Sequence, residues 1–193
     1  REFAAGPDRM QQAERVVIGA VCLDRATGRQ LYHVELFPLE NPPAVNLLNS
    51  YATPTPVVEP GRLYCDFGTF GTACLDSASG EVRWKRQLPL QHFQGPGSSP
   101  VLHGNLLILV RDGGDQQYVT ALNKETGETV WKTDRPPFTT PVRMFRKSFS
   151  TPLVFEAGGT VQMVVPGAQW FVSYEPQTGN EIWRVDNGKG ETV

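Results

Sequence analysis

The sequence lacks the features that identify several large classes of protein. Only three cysteines occur in 193 residues, which is too few for a disulfide framework, and their spacing fits no zinc site. The formal net charge is −2 with both signs scattered, so no basic stripe exists and we predict no nucleic-acid partner. The longest clean apolar run, Val16 to Leu23, is interrupted by Gly19 and is too short for a membrane span.

Long amphipathic helices are also missing from the pattern. Nineteen glycines and sixteen prolines interrupt the chain, and no window has apolar residues at helical spacing. What remains are short apolar runs bounded by Gly, Pro or Asp, such as Leu106 to Val110 and Met163 to Val165. We therefore predict an all-β fold.

A short phrase occurs four times and organises the chain. Each copy has an apolar residue, then Asp, Asn or Glu, and then a Ser/Thr–Gly pair: Leu23 to Gly28, Leu75 to Gly80, Leu122 to Gly127 and Tyr174 to Gly179. Four residues after each glycine stands an aromatic residue, namely Tyr32, Trp84, Trp131 and Trp183. The intervals between these aromatics are 52, 47 and 52 residues, which fits a four-stranded repeat unit.

The phrase has a direct physical interpretation as a hairpin turn. The acid or amide and the Ser/Thr can bond to the turn backbone, while Gly28, Gly80, Gly127 and Gly179 adopt the positive φ that closes it. The aromatic residue lies in the next strand, and a repeat unit that cannot bury its own faces must stack it on a neighbouring unit. Each repeat is therefore interpreted as one propeller blade, with these glycines and aromatics as its docking residues.

We predict a β-propeller of four-stranded antiparallel blades over residues 1–193, with about three and a half blades present. Blade 2 is predicted over 54–87, blade 3 over 98–134 and blade 4 over 150–186. The first copy supplies only its two outer strands, over 16–36, and residues 1–15 are expected to be a loop or a frayed strand.

The Leu-Asp-x-x-Thr-Gly-x-x-x-Trp pattern resembles the repeat of the pyrroloquinoline-quinone-like (quinoprotein-like) propellers, and the resemblance covers nearly the whole chain. It is nearest to the secreted propellers of planctomycetes and related bacteria, on the phrase Asn49 to Pro56. The lipoprotein scaffold of the outer-membrane assembly machine and the quinone-dependent alcohol dehydrogenases are more distant relatives. The resemblance implies a seven- or eight-bladed ring, a periplasmic or extracellular location, and either remaining blades or a second chain to complete the ring. We favour truncation as the explanation for the smaller number of blades in this sequence than in such a ring.

The cysteines and acids are expected to be structural. Cys22 and Cys74 occupy a slot for small side chains before the repeated phrase, and Cys65 can face Cys74 in a disulfide, although free thiols are favoured. The repeated acids fit turn caps rather than a catalytic set. The segment Asp112 to Asp115 is expected to be a solvated hairpin tip rather than a calcium loop. We predict no catalytic and no metal-binding residues.

The loops that join the blades are the expected place for function. They should emerge on one face, where the segment Arg143 to Lys147 places three cations beside aromatic residues. The candidate binding residues on this face are Asn49, Tyr51, His92, Arg111, Arg143, Arg146 and Trp170.

The leading hypothesis is a non-catalytic scaffold or binding module that binds a protein or polymer partner through this face, with no cofactor. One alternative is the cofactor-binding part of an oxidoreductase that uses pyrroloquinoline quinone and calcium in the complete ring. Another is a sensor or accessory domain of a larger protein. Enzymatic activity is not expected of this segment, because the adjacent cysteine pair that the resemblance implies for a quinone site does not occur here.

Overall fold

Short antiparallel strands make up most of this computed structural model, which describes residues 10–188. The strands of the described residues are β1 Met10–Gln11, β2 Arg15–Leu23, β3 Gln30–Glu40, β4 Val45–Asn46, β5 Val57–Glu59, β6 Arg62–Asp66, β7 Thr72–Asp76, β8 Val82–Arg86, β9 Val101–His103, β10 Leu106–Asp112, β11 Gln117–Asn123, β12 Thr129–Asp134, β13 Leu153–Ala157, β14 Thr160–Pro166, β15 Trp170–Tyr174 and β16 Glu181–Asp186. Two short 3-10 helices, Gly68–Phe70 and Arg143–Arg146, are the only helical segments in the described range.

Three four-stranded sheets and one two-stranded sheet follow one another along the described chain, and a second two-stranded sheet pairs β1 with β4. Strands β5 to β8, β9 to β12 and β13 to β16 each pair sequentially and antiparallel, and β2 pairs with β3. These are blades 2, 3, 4 and 1, so the predicted all-β propeller architecture is confirmed.

Two details of blade 1 differ from expectation. Strand β3 continues to Glu40, past the predicted end at 36, because β2 pairs with it along its whole length. Within the segment predicted as a loop or frayed strand, β1 pairs with β4. Residues 1–9 of that segment lie outside the described residues.

The repeated phrase forms the turn between the third and fourth strands of each blade. Gly28, Gly80, Gly127 and Gly179 have φ between +70° and +77°. In the second copy, the Asp76 carboxylate accepts hydrogen bonds from the backbone N–H groups of Ala78 and Ser79, both at 2.9 Å. The bonds from Ser79 and from the Arg83 guanidinium hold the pKa of Asp76 well below its usual range. The repeated acids therefore cap turns.

Each docking aromatic except the last lies on the turn of the following blade. Its ring N–H or O–H donates to the main-chain carbonyl of the residue after the turn acid: Tyr32 to Ser77 at 3.2 Å, Trp84 to Lys124 at 3.0 Å and Trp131 to Pro176 at 3.2 Å. The ring also covers the turn glycine. A Cβ at Gly127 would lie 2.8 Å from the Trp84 ring, so only glycine permits this approach.

The hydrophobic core consists of three clusters, one between each pair of consecutive blades. Trp84 and Trp131 belong to two of them and are each 9% exposed. Trp183 differs from the expectation that every docking aromatic packs on a neighbouring sheet, because it is 38% exposed. The reason is its place in the last blade of the described chain, where no sheet covers it.

The three cysteines are free thiols. Cys65 pairs with Ala73 across the β6–β7 ladder, and Cys74 pairs with Tyr64 one rung away. Neighbouring rungs present their side chains to opposite faces of a sheet, so Cys65 and Cys74 point away from each other. The sulfurs therefore cannot bond. Burial raises the pKa of Cys65 to about 12, which suits an inert core thiol.

Candidate functional site

One end of the blades carries all the long connections. Because the strands of a blade alternate in direction, the loops between blades and the loops between second and third strands emerge at the same end. We call this end the loop face; it comprises residues 41–56, 87–100 and 135–152 and the short loops 67–71, 113–116 and 167–169. The loops bond to one another, as where the Thr69 hydroxyl donates to the Leu90 carbonyl at 2.9 Å.

A buried ion pair joins blades 2 and 3 beneath the loop face. The Arg111 guanidinium donates from Nη2 to Oδ1 of Asp66 at 2.6 Å and from Nη1 to Oδ2 at 3.0 Å, and it also bonds Thr72. Both side chains of the ion pair are almost completely buried. The expectation that Arg111 is an accessible binding residue was therefore wrong. Strand β10 is buried along its whole length, so its charged side chain is directed into the neighbouring blade.

A second buried pair lies between blades 3 and 4. Arg135 Nε is 3.4 Å from Oδ2 of Asp112, and neither side chain is exposed. Arg135 also donates to the carbonyls of Val165 and Trp170, each at 3.2 Å. Burial raises the pKa of Asp112 to about 6, although Arg135 acts in the opposite direction.

The segment 112–115 is not the solvated hairpin tip that the sequence suggested. Asp112, Gly113 and Gly114 are buried, and only Asp115 is exposed. A Cβ at Gly114 would overlap the Phe93 ring, so the loop 87–100 lies directly on this turn. The Asp115 carboxylate accepts the backbone N–H of Gln91 at 2.7 Å. The acids of this segment therefore hold the loops together.

His92 lines a small cavity between these loops. The cavity holds about 40 Å³, enough for one or a few waters. The His92 ring accepts the backbone N–H of Gly95 at Nδ1, at 2.9 Å, and meets Phe70 edge-on at 5.1 Å. Burial, assisted by the charge of Lys147, lowers the pKa of His92 to about 4. This histidine is neutral near pH 7 and supports the loop.

Asn49 fastens the first long loop to the second, and Tyr51 fastens it to the short loop 67–71. The Asn49 amide donates to the carbonyls of Gln94 at 2.8 Å and Pro96 at 3.1 Å. Tyr51 packs edge-on against Phe70 at 5.4 Å. Both side chains are partly buried in these contacts.

Trp170 and Arg146 brace the third long loop in the same way. The Trp170 indole donates to the Pro137 carbonyl at 3.1 Å. Arg146 donates from Nε and Nη2 to the Thr140 carbonyl at 3.1 and 3.0 Å. The structure thus gives internal contacts to six of the seven candidate binding residues, while Arg143 is exposed.

The exposed part of the third loop is apolar and cationic. Val142, Met144 and Phe145 are exposed around Arg143, and we call residues 142–145 the loop patch. The chain from 135 to 155 contains four cations and no Asp or Glu. Leu47 and Leu48 are also exposed on the first loop. Sequence reasoning noted the cations and the aromatic residues of this loop but missed Val142 and Met144, whose signal is a cluster of large apolar residues inside a loop.

Together, the sequential four-stranded sheets and the ring-on-glycine contacts define a β-propeller. In it, an aromatic ring of one blade packs on the glycine turn of the next. The sequence profile of the family described as "Outer membrane protein assembly factor BamB" matches residues 17–192. The chain therefore belongs to this family. A comparison with curated protein sequences finds no match.

Solved structures show the same fold at low sequence identity. BamB from Moraxella catarrhalis is 15% identical with a TM-score of 0.58, over 94% of this chain and 54% of that one. The quinohemoprotein alcohol dehydrogenase from Comamonas testosteroni is 14% identical with a TM-score of 0.61, over 95% of this chain and 34% of that one. A europium-containing methanol dehydrogenase is 11% identical with a TM-score of 0.58, over 92% and 40%. The chain thus spans about half or less of these proteins' length.

Within residues 10–188, no helix has the length and apolar character needed to cross a membrane.

Proposed function

We propose that this chain is part of a non-catalytic propeller scaffold that binds an acidic protein segment through its loop face. The observation that carries the proposal is the loop patch. Three large apolar side chains are exposed around Arg143, and the partly exposed Arg146 follows in the same loop, which has no carboxylate. An exposed apolar cluster of this kind is typical of an interaction surface.

The surrounding contacts support binding rather than chemistry. The buried charges of the loop face, Asp66 with Arg111 and Asp112 with Arg135, are paired with each other and bridge neighbouring blades. The cavity beside His92 is smaller than an organic substrate. A rigid base with an exposed patch above it suits a surface that docks a partner without rearrangement.

The charge of the patch indicates the chemistry of the partner. Arg143 lies among apolar neighbours, and the nearby, partly exposed Arg146 adds to the positive potential. A segment with acidic residues and one or two apolar anchors would complement this surface. An exported location accompanies the proposal, because the family's description refers to outer-membrane assembly.

A binding assay with a defined probe tests the proposal. The probe is a random copolymer of glutamate and tyrosine, and its binding to the 193-residue chain is followed by fluorescence anisotropy at two salt concentrations. We expect salt-sensitive binding that weakens about tenfold in each of the variants Arg143→Glu and Phe145→Ala. Arg29→Glu is the matched control, because Arg29 is exposed at the opposite end of blade 1.

Two outcomes would overturn the proposal. One is an absence of binding, or binding that the loop-patch variants leave unchanged. The other is tighter binding of heparin than of the copolymer, which would indicate a polysaccharide partner in place of a protein segment.

A further inference from the structure

The end of the blades opposite the loop face, which we call the turn end, is held together by ion pairs where blades 2 and 3 meet. There the hairpin between the first two strands of blade 2 lies against the repeated turn of blade 3. Oε2 of Glu59 is 2.8 Å from Nζ of Lys124, and Nη2 of Arg62 is 3.2 Å from Oε1 of Glu125. Two ion pairs therefore close this junction.

The corresponding positions where blades 3 and 4 meet carry no such pairs. His103 and Leu106 take the places of the two hairpin residues, and Pro176 and Gln177 take the places of the two turn residues. None of these four residues is Asp, Glu, Lys or Arg, so neither ion pair can form.

Pro176 also removes a hydrogen bond from the turn end of blade 4. In blades 2 and 3, the backbone N–H of the residue after the turn acid donates to the hairpin of the same blade. Ser77 donates to the Gly61 carbonyl at 3.4 Å, and Lys124 donates to the Asn105 carbonyl at 3.0 Å. Because proline has no N–H, Pro176 cannot make this bond between the hairpin and the turn of blade 4.

The hairpin of blade 4 is also longer than those of blades 2 and 3. Counted from the rung opposite the first residue of the repeated phrase, it ends after three further residues, whereas the other two end after one. The extension carries Val161, which is 40% exposed and pairs with Glu156 across the hairpin. Val161 is two residues from the buried Met163, so both face blade 3, and the paired Glu156 lies beside Val161.

A groove of about 490 Å³ lies between this extended hairpin and the turn, and we call it the turn groove. Its lining includes His103, Thr160, Val161, Glu175, Gln177 and Ile182. Ile182 is 43% exposed and is the second accessible apolar side chain of the groove. Glu175 is the only Asp, Glu, Lys or Arg among the described residues that line it. Both blades that form the groove are four-stranded in the described chain.

We propose that the turn groove binds a protein segment that presents a basic side chain next to an aliphatic one. The basic group pairs with Glu175, and Glu156 adds to the negative potential. The aliphatic group packs on Val161 and Ile182, whose exposure suits a side chain projecting from a partner surface. The Thr178 hydroxyl donates to Oε2 of Glu175 at 2.6 Å and orients the carboxylate, so Oε1 is the acceptor for the partner.

The turn groove is at the opposite end of the blades from the loop face, so this inference is independent of the proposed function. The two ends differ in charge, since the loop patch is cationic and the groove is anionic.

Fluorescence anisotropy with a labelled random copolymer of lysine and leucine tests the inference. We expect salt-sensitive binding to the 193-residue chain, weakened about tenfold by each of Glu175→Gln and Ile182→Lys. Glu175→Gln should retain the turn, because the Asn123 amide caps the same turn in blade 3. Thermal unfolding of each variant verifies that the fold is retained.

Two matched controls separate the groove from general attraction to a cationic polymer. Glu81→Gln removes one negative charge from an exposed position of blade 2. Val130→Lys adds a positive charge at the position of blade 3 that corresponds to Ile182, and Val130 is similarly exposed. Both controls should bind the copolymer as the wild type does.

Three outcomes would overturn the inference. The first is an absence of binding, and the second is a loss of binding in the controls as large as in the groove variants. The third is binding of spermidine as tight as that of the copolymer, with the same dependence on Glu175 and Ile182, which would indicate a small polyamine in place of a protein segment.

Discussion

Trp131 and Trp183 occupy the same position in blades 3 and 4, yet their surroundings differ completely. Trp131 lies on the Gly179 turn with its indole bonded to Pro176, while Trp183 faces solvent. The repeat sequence is therefore insufficient to bury its own aromatic residue. A blade becomes complete through its neighbour, so the interface is the unit of stability in this molecule.

Substituting the two tryptophans should expose this difference most strongly. Trp131→Ala leaves a cavity between blades 3 and 4, and we expect the free energy of unfolding to fall by about 3–5 kcal/mol. Trp183→Ala removes a partly exposed ring and should cost less than about 1 kcal/mol. Urea denaturation measures both values. Equal losses would mean that the two positions are energetically equivalent.

The difference in stability between a buried and an exposed position should also hold for two arginine–aspartate pairs. Arg111→Met leaves the Asp66 carboxylate buried without its partner, and we expect a loss of about 3 kcal/mol or more. Arg83→Met breaks the accessible pair with Asp76 and should cost far less, because solvent screens this pair. Denaturation at pH 7 provides the comparison.

A double variant sharpens the comparison of ion pairs. Replacing Asp66 by Leu together with Arg111→Met removes both buried charges and should recover part of the stability. If the double variant is no more stable than Arg111→Met alone, the ion pair contributes interactions to stability beyond the mutual neutralisation of two buried charges.

Stability against pH distinguishes two buried groups of the loop face. The folded pKa of His92 is about 4, below its ordinary 6.5, so the unfolded chain binds the proton first and the protein loses stability as the pH falls from 6.5 to 4. His92→Gln removes this loss. Between pH 7 and pH 4, the variant should therefore gain about 3 kcal/mol relative to the wild type.

Asp112 should change the stability of the protein in the opposite direction to His92 as the pH falls. Its folded pKa of about 6 lies above the ordinary value, so the carboxyl contributes stability at low pH that is lost as the pH rises through 6. Asp112→Asn should therefore fall relative to the wild type on acidification, as chemical denaturation at several pH values would show. Changes of the same sign in both variants would contradict the burial of one of the two groups.

The parts of the fold that depend on local sequence were predictable. The turn phrase encodes its own hydrogen bonds within a few residues, so its four copies located the hairpins and hence the blades. The contacts of Arg111 and Asp66 were not predictable, because the two residues are 45 positions apart and meet only through the angle between two blades. Asp112 was misjudged for the same reason, since a Gly-Gly turn suggests solvent unless the covering loop with Phe93 is known.

The loop face shows the same limit. Asn49, Tyr51, His92, Arg146 and Trp170 have the side chains of binding residues, but they are engaged in holding loops that are far apart in sequence. The apolar residues of the loop patch were the better signal, because a large apolar side chain in a loop needs either a core or a partner.

In every docked interface, the acceptor of the aromatic ring's hydrogen bond is a peptide oxygen. Ser77, Lys124 and Pro176 supply it equally well, since the bond is indifferent to what the side chain is. The residue at this position of a duplicated blade can therefore change without loss of the hydrogen bond from the aromatic residue of the preceding blade. This tolerance to substitution gives a simple route by which such a chain can gain blades, one at a time, through duplication.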